Sequence, residues 1–478
     1  MYETLTQLTL LAVVHTVLLI VVIPIILIKK RDTTVAVAWC LFVLLTPLVG
    51  SLVFWVFGFN YIQRRVIRKR THRSAFRQEH PPSRPEATRG AGLGKSDAHP
   101  LAGITRALDT FPISHGNRVQ LLHHTTEAYQ EILNAIDSAQ HHVHLQFFIV
   151  RNDETTRGVL QRLANKAREG LEVRLLYDAV GSLFLRSRQL RELINAGGQA
   201  YPFLPINPFR SWIQVNLRNH RKAVIVDGKV AITGGMNLGD EYLGKSPCFG
   251  YWRDTMVRLE GPTVAALQRI FIEDWDFATH EALQEERYFP LIAEVGEHAV
   301  QVAESGPDQE PNTLREIYFA AILSARKRLW IASPYFVPDS GLLDALRLAR
   351  FRGVDVRLLC LLRPDHLLSF YASRFYWADL LAFGGKVYQY ARGMMHSKII
   401  IVDDDWATVG SANMDNRSLH LNFESNCCFY SPALVAELAR QYQADLHDSI
   451  PLDTWTFANR SLAVRLLEHG CRLFAPIL

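Results

Sequence analysis

The chain has 478 residues, six scattered cysteines and a formal net charge of +5 that is unevenly placed along it. Its length allows a large core and more than one domain. Adjacent Cys427 and Cys428 and the lack of a paired spacing exclude a disulfide-stapled scaffold and point the bulk of the chain to a reducing compartment.

The N-terminus reads as membrane. Leu8 to Ile28 is almost wholly apolar and ends at Lys29-Lys30-Arg31, and a second run, Val35 to Phe59, is broken only by Cys40, Thr46, Pro47, Gly50, Ser51 and Gly58. Each approaches the roughly 20 residues that a helix needs to cross the hydrocarbon core, so residues 1–63 are expected to form a transmembrane hairpin. A cleaved signal peptide ending at Ala36-Val37-Ala38 fits less well, because the first apolar core is too long and a second one follows. Pro47 and Gly50 leave a re-entrant second segment open. Arg64, Arg65, Arg68, Lys69, Arg70, Arg73 and Arg77 come next and outnumber the basic residues between the runs. The positive-inside bias then makes this a multi-pass membrane protein with everything after Phe59 in the cytoplasm. Beside a membrane helix such a basic run meets anionic headgroups, at about 1 kcal/mol per charge, more simply than nucleic acid. Pro81 to Pro100, rich in Pro, Gly, Ser and Arg, completes a basic juxtamembrane segment and linker over residues 64–110.

Two α/β halves follow, over residues 111–295 and 296–450. The first has a strand at Val119–Leu122, a helix across Glu127 to Ala139, a strand from Val143 to Val150, another helix, and a strand at Val173–Leu176. The second repeats that order with a helix near Leu314 to Lys327, Leu329–Ala332, a helix, and Val356–Leu359. Gly197-Gly198-Gln199-Ala200-Tyr201 echoes Gly384-Gly385-Lys386-Val387-Tyr388. Helices alternating with buried strands and hairpins predict two pseudosymmetric layered halves, each a mixed sheet flanked by helices and facing the other across one cleft. An apolar insertion with Pro205, Pro208, Phe209 and Trp212 precedes the first motif and suits either core packing or acyl chains.

The motif itself occurs twice. His220-Arg221-Lys222 leads through Val224-Ile225-Val226 to Asp227 and then Gly234-Gly235-Met236-Asn237. His396-Ser397-Lys398 leads through Ile399-Ile400-Ile401-Val402 to Asp403 and then Gly410-Ser411-Ala412-Asn413. Both read H-x-K-x-x-x-x-D with the asparagine at one offset, which marks an internal repeat. On a strand, residues two apart share a face, so each histidine points with its lysine and each aspartate points away. Asp227-Gly228 and Asp403-Asp404-Asp405 are turn signals, so Asp227 and Asp403, though part of the catalytic signature, are expected to brace turns.

No zinc, P-loop or paired-carboxylate pattern competes with this motif, and neither metal nor cofactor is expected. His141, His142 and His144 lack a ligand spacing and read as surface or structural, as do His123 and His124. Phe147-Phe148 and Tyr335-Phe336 read mostly as core, with strand ends also able to line a cleft. Two histidines and two lysines without a metal suit phosphoryl-group transfer. A neutral histidine is the nucleophile, a protonated one the general acid, and Lys222, Lys398, Asn237 and Asn413 stabilise charge on the equatorial oxygens.

These residues resemble the phospholipase D superfamily, whose signature is this doubled motif with G-[GS]-x-N. Asn219-His220-Arg221-Lys222, Gly239-Asp240-Glu241-Tyr242, Ser305-Gly306-Pro307-Asp308, Tyr335-Phe336-Val337-Pro338, Asn413-Met414-Asp415-Asn416-Arg417-Ser418-Leu419, Asn422-Phe423-Glu424 and Ala475-Pro476-Ile477-Leu478 look like the bacterial cardiolipin synthases. The resemblance implies an acidic residue on a later strand that orients each histidine, and by position these are Asp254 and Glu424. Such a partner fixes the tautomer and favours the imidazolium. The resemblance also implies the reaction. A histidine, His220 in our reading, attacks the phosphorus of phosphatidylglycerol while the other protonates the departing glycerol. A second phospholipid hydroxyl then displaces the enzyme to give cardiolipin. A phospholipase D hydrolase, a phosphatidylserine-synthase-like transferase, a membrane-tethered nuclease and a non-enzymatic lipid-binding scaffold are the alternatives. Phospholipid and membrane are the expected partners, nucleic acid is not, and no oligomeric state is implied. Finally, Trp455, Phe457, Leu462, Ala463, Leu466, Leu467 and Leu473 recur at helical spacing with Arg460, Arg465 and Arg472 between them, an amphipathic helix over 451–478 that suits the core or the bilayer.

Overall fold

The computed structural model describes residues 2–29, 33–55, 69–71, 73, 74, 77, 99–108, 110–205, 217–283, 285–309 and 311–478. Arg64, Arg65 and Arg68, most of the Pro81–Pro100 linker, and Pro208, Phe209 and Trp212 of the apolar insertion lie outside the described residues. Two compact units emerge, one holding Met1–Lys69 and the other Arg70–Pro205 with Asn216–Leu478.

In the first unit, α1 (Tyr2–Lys29), α2 (Thr33–Leu45) and α3 (Pro47–Val53) pack around Val22, Ile26, Val43 and Phe54. Considering only side chains that are described, which in α1 begin at Val13, no helix is both long and apolar enough to cross a membrane. The second apolar run is not one helix. Pro47 cannot continue α2, and a Cβ on Gly50 would lie 2.7 Å from the Phe42 carbonyl oxygen and 2.9 Å from the Val43 Cα. In a straight helix residues seven apart are about 10 Å distant, so α3 doubles back on α2.

The second unit opens with α4 (Pro100–Ala107) and then runs β1 (Ser114–Leu122), α5 (Thr125–Ser138), β2 (His142–Phe147), α6 (Glu154–Arg168), β3 (Glu172–Asp178), α7 (Ser187–Asn195) and β4 (Gln199–Phe203). The motif region adds β5 (Arg218–Asn219), β6 (Ala223–Val226), β7 (Val230–Gly234), β8 (Tyr251–Arg253), β9 (Met256–Glu260) and α8 (Val264–Thr279). The second half is β10 (His298–Ser305), α9 (Thr313–Ser324), β11 (Arg328–Ala332), β12 (Phe336–Val337), α10 (Ser340–Phe351), β13 (Asp355–Leu361), α11 (Leu367–Ala382) and β14 (Lys386–Tyr390). It continues through β15 (Gly393–Met395), β16 (Ile399–Val402), β17 (Trp406–Gly410), β18 (Met414–Asp415), α12 (Asn416–His420), β19 (Asn422–Phe429) and α13 (Pro432–His447). β20 (Ser449–Pro451), α14 (Thr454–Ala458) and α15 (Leu462–Arg472) close the chain.

The strands of both halves join in one continuous mixed sheet rather than two separate ones, in the order β20-β14-β13-β11-β16-β17-β19-β10-β1-β9-β7-β6-β2-β3-β4 with β5 beside β19, while β8–β15 and β12–β18 form small two-stranded sheets. The repeat is visible in that order. Reading outward from the antiparallel β1–β10 join, β9-β7-β6-β2-β3-β4 on one side matches β19-β17-β16-β11-β13-β14 on the other. Both sides carry a parallel β–α–β pair next to an antiparallel hairpin. β6 and β16 are fully buried because β-branched residues fill both their faces.

The sequence expected His142 and His144 on the surface or in a structural role. They are buried, His144 bonding through Nδ1 to Gln268 at 2.9 Å and stacking on Phe271. Phe147 and Phe336 are core, whereas Phe148 reaches the cleft. The C-terminal helix α15 lies inside out. Its buried residues are Cys471 and Glu468, the latter accepting from Arg374 and Arg460, while Leu462 (70 % exposed), Leu466 and Leu473 face outward. Arg73 and Arg77, expected at lipid headgroups, instead pair with Glu304 and Glu273.

Candidate active site

Both motif histidines sit just beyond a short strand, where their amides make the last bonds of its ladder. β5 pairs in parallel with the start of β19, and the His220 amide continues the ladder by donating to the Phe423 carbonyl at 2.9 Å. β15 pairs in parallel with β8, and the His396 amide donates to the Arg253 carbonyl at 2.8 Å. The two registers are equivalent, so each histidine faces the residue that follows its partner carbonyl. That residue is Glu424 for His220 and Asp254 for His396.

The carboxylates therefore cross between halves. His220 Nδ1 lies 3.0 Å from the Glu424 carboxylate, and His396 Nδ1 lies 2.7 Å from Asp254 Oδ2. Reading each acid as serving the histidine of its own repeat, as sequence order suggests, is corrected by this geometry. With Nδ1–H held by a carboxylate, Nε2 carries the lone pair. Phe148 packs edge-on against His220, and Trp252 lies tilted against His396.

Lys222 and Lys398 are buried. Each donates through Nζ to the carbonyl of its own histidine, Lys222 at 2.7 Å. Burial pushes Lys222 well below the usual lysine range and Lys398 to about 8, opposed by Glu424 and Asp254. Burial, helped by both lysines, also brings His220 to about 4 against the pull of Glu424. His396 is lowered too, by burial and then Lys398, against Asp254. Burial works against ionising the two acids, yet the facing histidines and lysines hold both below the usual carboxylate range. The expectation that a carboxylate partner would charge the imidazole is thus reversed. Desolvation and two nearby ammonium groups outweigh one carboxylate each.

The motif asparagines differ. Asn237 accepts from the Ile149 amide at 3.1 Å and donates to the Tyr242 hydroxyl at 3.2 Å. Asn413 has a buried Oδ1 with no hydrogen-bond partner among the described residues. The preceding G-[GS] has a local reason. A Cβ on Gly235 would sit 2.2 Å from Asp254 Oδ1, whereas Ser411 in the equivalent place donates its hydroxyl to Glu424.

Asp227 and Asp403 stand apart from this cluster, which corrects their grouping with the catalytic residues. Both adopt left-handed backbone at the hairpin turn, with φ of 53° and 49°. Asp227 accepts from the Gln140, His141 and His142 amides, and Asp403 from Arg326, Lys327 and Arg328. They brace the loop entering the neighbouring strand as well as their own turn.

A family model described as the phospholipase D-like domain of cardiolipin synthase matches residues 132–275 and 318–446, one segment in each half. The chain belongs to this family. Among its relatives, the cardiolipin synthase of Geobacillus kaustophilus is 40% identical over 455 residues, covering 94% of this chain and 90% of that protein. Cardiolipin synthase 2 of Bacillus anthracis is 39% identical over 460 residues, covering 95% and 89%. The crystal structure of phosphatidylserine synthase from Haemophilus influenzae aligns with a TM-score of 0.61 at 15% identity, covering 79% of this chain and all of that one, and shows the shared fold.

Several residues of this family member escaped the sequence reading. Ser411 was visible only as a motif position. Arg221, between His220 and Lys222, makes buried ion pairs with Asp274 (2.7 Å) and Glu304 (3.0 Å). Its signal was a charged residue at the one motif position whose side chain faces away from the cleft. Arg253 plays the matching part for the second motif, bonding Ser397 at 3.2 Å and Asp445 at 2.8 Å.

Proposed function

We propose that this chain is a phosphatidyltransferase that converts two phosphatidylglycerol molecules into cardiolipin and glycerol. One observation carries the reading: two imidazoles, each tied at Nδ1 to a carboxylate of the opposite half, lie buried together with the Nζ groups of Lys222 and Lys398, a set that offers a nucleophile, a proton donor and N–H donors for the oxygens of a phosphodiester. His220 Nε2 attacks phosphorus, and the bond from phosphorus to the glycerol oxygen breaks. His396 gives that oxygen its proton. The glycerol hydroxyl of the second phosphatidylglycerol then gives its proton to His396 and attacks the phosphohistidine, and the phosphorus–nitrogen bond breaks. One phosphodiester replaces another, so no nucleotide is consumed.

The surroundings of the two histidines support these roles. Glu424 shares its charge with the Ser411 hydroxyl and the Asn422 amide, while among the described residues Asp254 accepts from the Thr255 amide besides pairing with His396. His220 is held near 4 and is the neutral nucleophile. His396 regains a proton when the bound anion offsets the lysines. Asn413, with its unpartnered Oδ1, and Asn237 complete the phosphate cradle. The test is to incubate detergent-solubilised protein with phosphatidylglycerol and follow lipids by mass spectrometry, with a denaturing quench held at or above neutral pH, because the phosphorus–nitrogen bond of a phosphatidyl adduct on His220 is acid-labile. Phosphatidic acid as the only product means a hydrolase, and an adduct on His396 alone reverses the roles.

The enzyme works at the cytoplasmic membrane in this reading. The apolar run Leu8 to Ile28 lies within α1, whose 28 residues span ~42 Å against a hydrocarbon core of ~30 Å. With α2 and α3 re-entrant, Lys29-Lys30-Arg31 and the basic run after Phe59 fall on the same, cytoplasmic side, as the positive-inside bias favours. The outward leucines of α15 supply a further apolar surface for the bilayer. Exposed Cys248 reports the side: a membrane-impermeant maleimide added to intact cells leaves it unlabelled if the catalytic body is cytoplasmic.

A further inference from the structure

The guanidinium behind each catalytic motif is anchored differently. Arg253, behind His396, is held by Asp445 of the second half, so that clamp closes within the two repeats. Arg221, behind His220, is held by Glu304 and Asp274, and its Nε donates to the Glu424 carbonyl at 3.2 Å. It thus ties the strand of the nucleophile to the strand of the carboxylate that orients it. Glu304 does not belong to Arg221 alone. Arg73 Nη2 reaches it at 2.6 Å and Arg77 Nη2 at 2.5 Å, and Arg77 Nε also reaches Glu273 at 2.7 Å.

In this network as paired, four carboxylates (Glu273, Asp274, Glu304 and Asp308) meet four guanidinium groups, Arg269 and Arg221 from the repeats and Arg73 and Arg77 from the segment that follows the N-terminal apolar runs. All four acids are buried, and the arginines together hold Glu304 at about 2. Removing Arg73 and Arg77 takes two positive charges from beside these buried acids, a loss that a buried site tolerates poorly.

We propose that Arg73 and Arg77 are positioning residues for the transfer reaction: through Glu304 and Arg221 they set the place and the electrostatic potential of His220, so the juxtamembrane segment completes the first catalytic motif. This rests on the assignment of His220 as nucleophile. The lipid-headgroup role expected for these two arginines is replaced by an internal one, and the membrane-proximal segment becomes part of the active enzyme rather than a tether.

The experiment uses full-length protein carrying Arg73→Gln with Arg77→Gln, the pair Arg73→Lys with Arg77→Lys, and Arg162→Gln as a surface control whose partner Asp137 is also exposed. Carbethoxylation of His220, mapped by mass spectrometry across pH 4 to 8, reads its protonation without reference to any reaction. Phosphatidyl transfer across the same range reads the consequence. Besides Arg221 behind it, His220 faces Glu424, Lys222 and Lys398, none of which is altered. Losing two positive charges behind it stabilises the imidazolium, so in the glutamine pair its titration midpoint and the acidic limb of transfer are expected to move to higher pH. Transfer near pH 6 is expected to fall tenfold or more per folded molecule, while the lysine pair and Arg162→Gln stay near wild type. An unmoved His220 midpoint in a glutamine pair that still folds overturns the proposal, whether or not activity falls. A moved midpoint without any transfer, even in wild type, upholds the charge coupling and overturns the assigned reaction instead.

Discussion

Glu424 follows His220 by 204 positions, yet its carboxylate lies 3.0 Å from that histidine's Nδ1. The reciprocal pair, Asp254 and His396, spans 142 positions in the opposite order. Neither repeat therefore holds a complete histidine–carboxylate pair, and the chemistry belongs to the join between them.

Removing either carboxylate is expected to disable turnover without unfolding the chain. Asp254→Asn and Glu424→Gln keep the shape but let the wrong imidazole tautomer form, a change that costs about 10²- to 10⁴-fold in comparable histidine–carboxylate pairs. Steady-state transfer with near-UV circular dichroism as the folding control checks this. A wild-type rate in either variant would remove the orienting role.

Asp227→Ala is expected to separate stability from chemistry. Three amides at 2.8–2.9 Å lose their acceptor, a loss of about 1–3 kcal/mol for buried unpaired groups. The urea midpoint should drop while the rate per folded molecule stays within about twofold. Asp403→Ala should act in the same direction but less, because the amides it accepts are more exposed.

Acid should destabilise the fold. His220 and His142 are both held at about 4, against 6.5 when unfolded. Between those values the unfolded chain binds protons that the native chain refuses, so native stability falls as pH drops from 6.5 toward 4. The upper bound is roughly 3 kcal/mol for each. Denaturant midpoints at pH 7 and pH 5 measure the slope, and His142→Asn should flatten it. A midpoint that rises on acidification would contradict the burial argument.

The alkaline side of activity is assigned to Lys398. Its ammonium is lost as pH passes about 8, and with it charge stabilisation at the phosphorus. Transfer should decline through that range. Lys398→Arg, which stays charged, should move the limb upward while lowering the maximum rate, because the guanidinium does not fit the lysine's place.

The two halves should respond differently at the glycine–serine position. Gly235→Ala drives a Cβ into the Asp254 carboxylate that holds His396, and at least a hundredfold loss of transfer is expected. Ser411→Gly removes one hydroxyl donor from Glu424, about 1–2 kcal/mol or roughly tenfold. Equal effects in side-by-side kinetics would mean that contact with the orienting carboxylate is not what selects glycine in one motif and serine in the other.

Much of the fold was legible because local patterns sufficed. β-branched runs beside Asp227-Gly228 and Asp403-Asp404 mark hairpins whatever surrounds them, and the doubled order of helices and strands marks the repeat. Asp227 and Asp403 were separable from His220 and His396 by strand parity alone. The break between α2 and α3 was legible at Pro47, which marks an interruption without giving the direction of the chain beyond it.

Sequence alone nominated the candidate site: two histidines, two lysines and their asparagines at repeated spacing, with two acids added by resemblance. Tertiary structure decided the pairing. Whether Glu424 meets His396 or His220 depends on how β5 and β15 dock in parallel against strands of the opposite half. It also decided the charge states, because burial is a sum over neighbours that are distant in the chain. Arg73, Arg77 and Glu304 look like unrelated surface charges in sequence and become one buried network only when the chain closes around them.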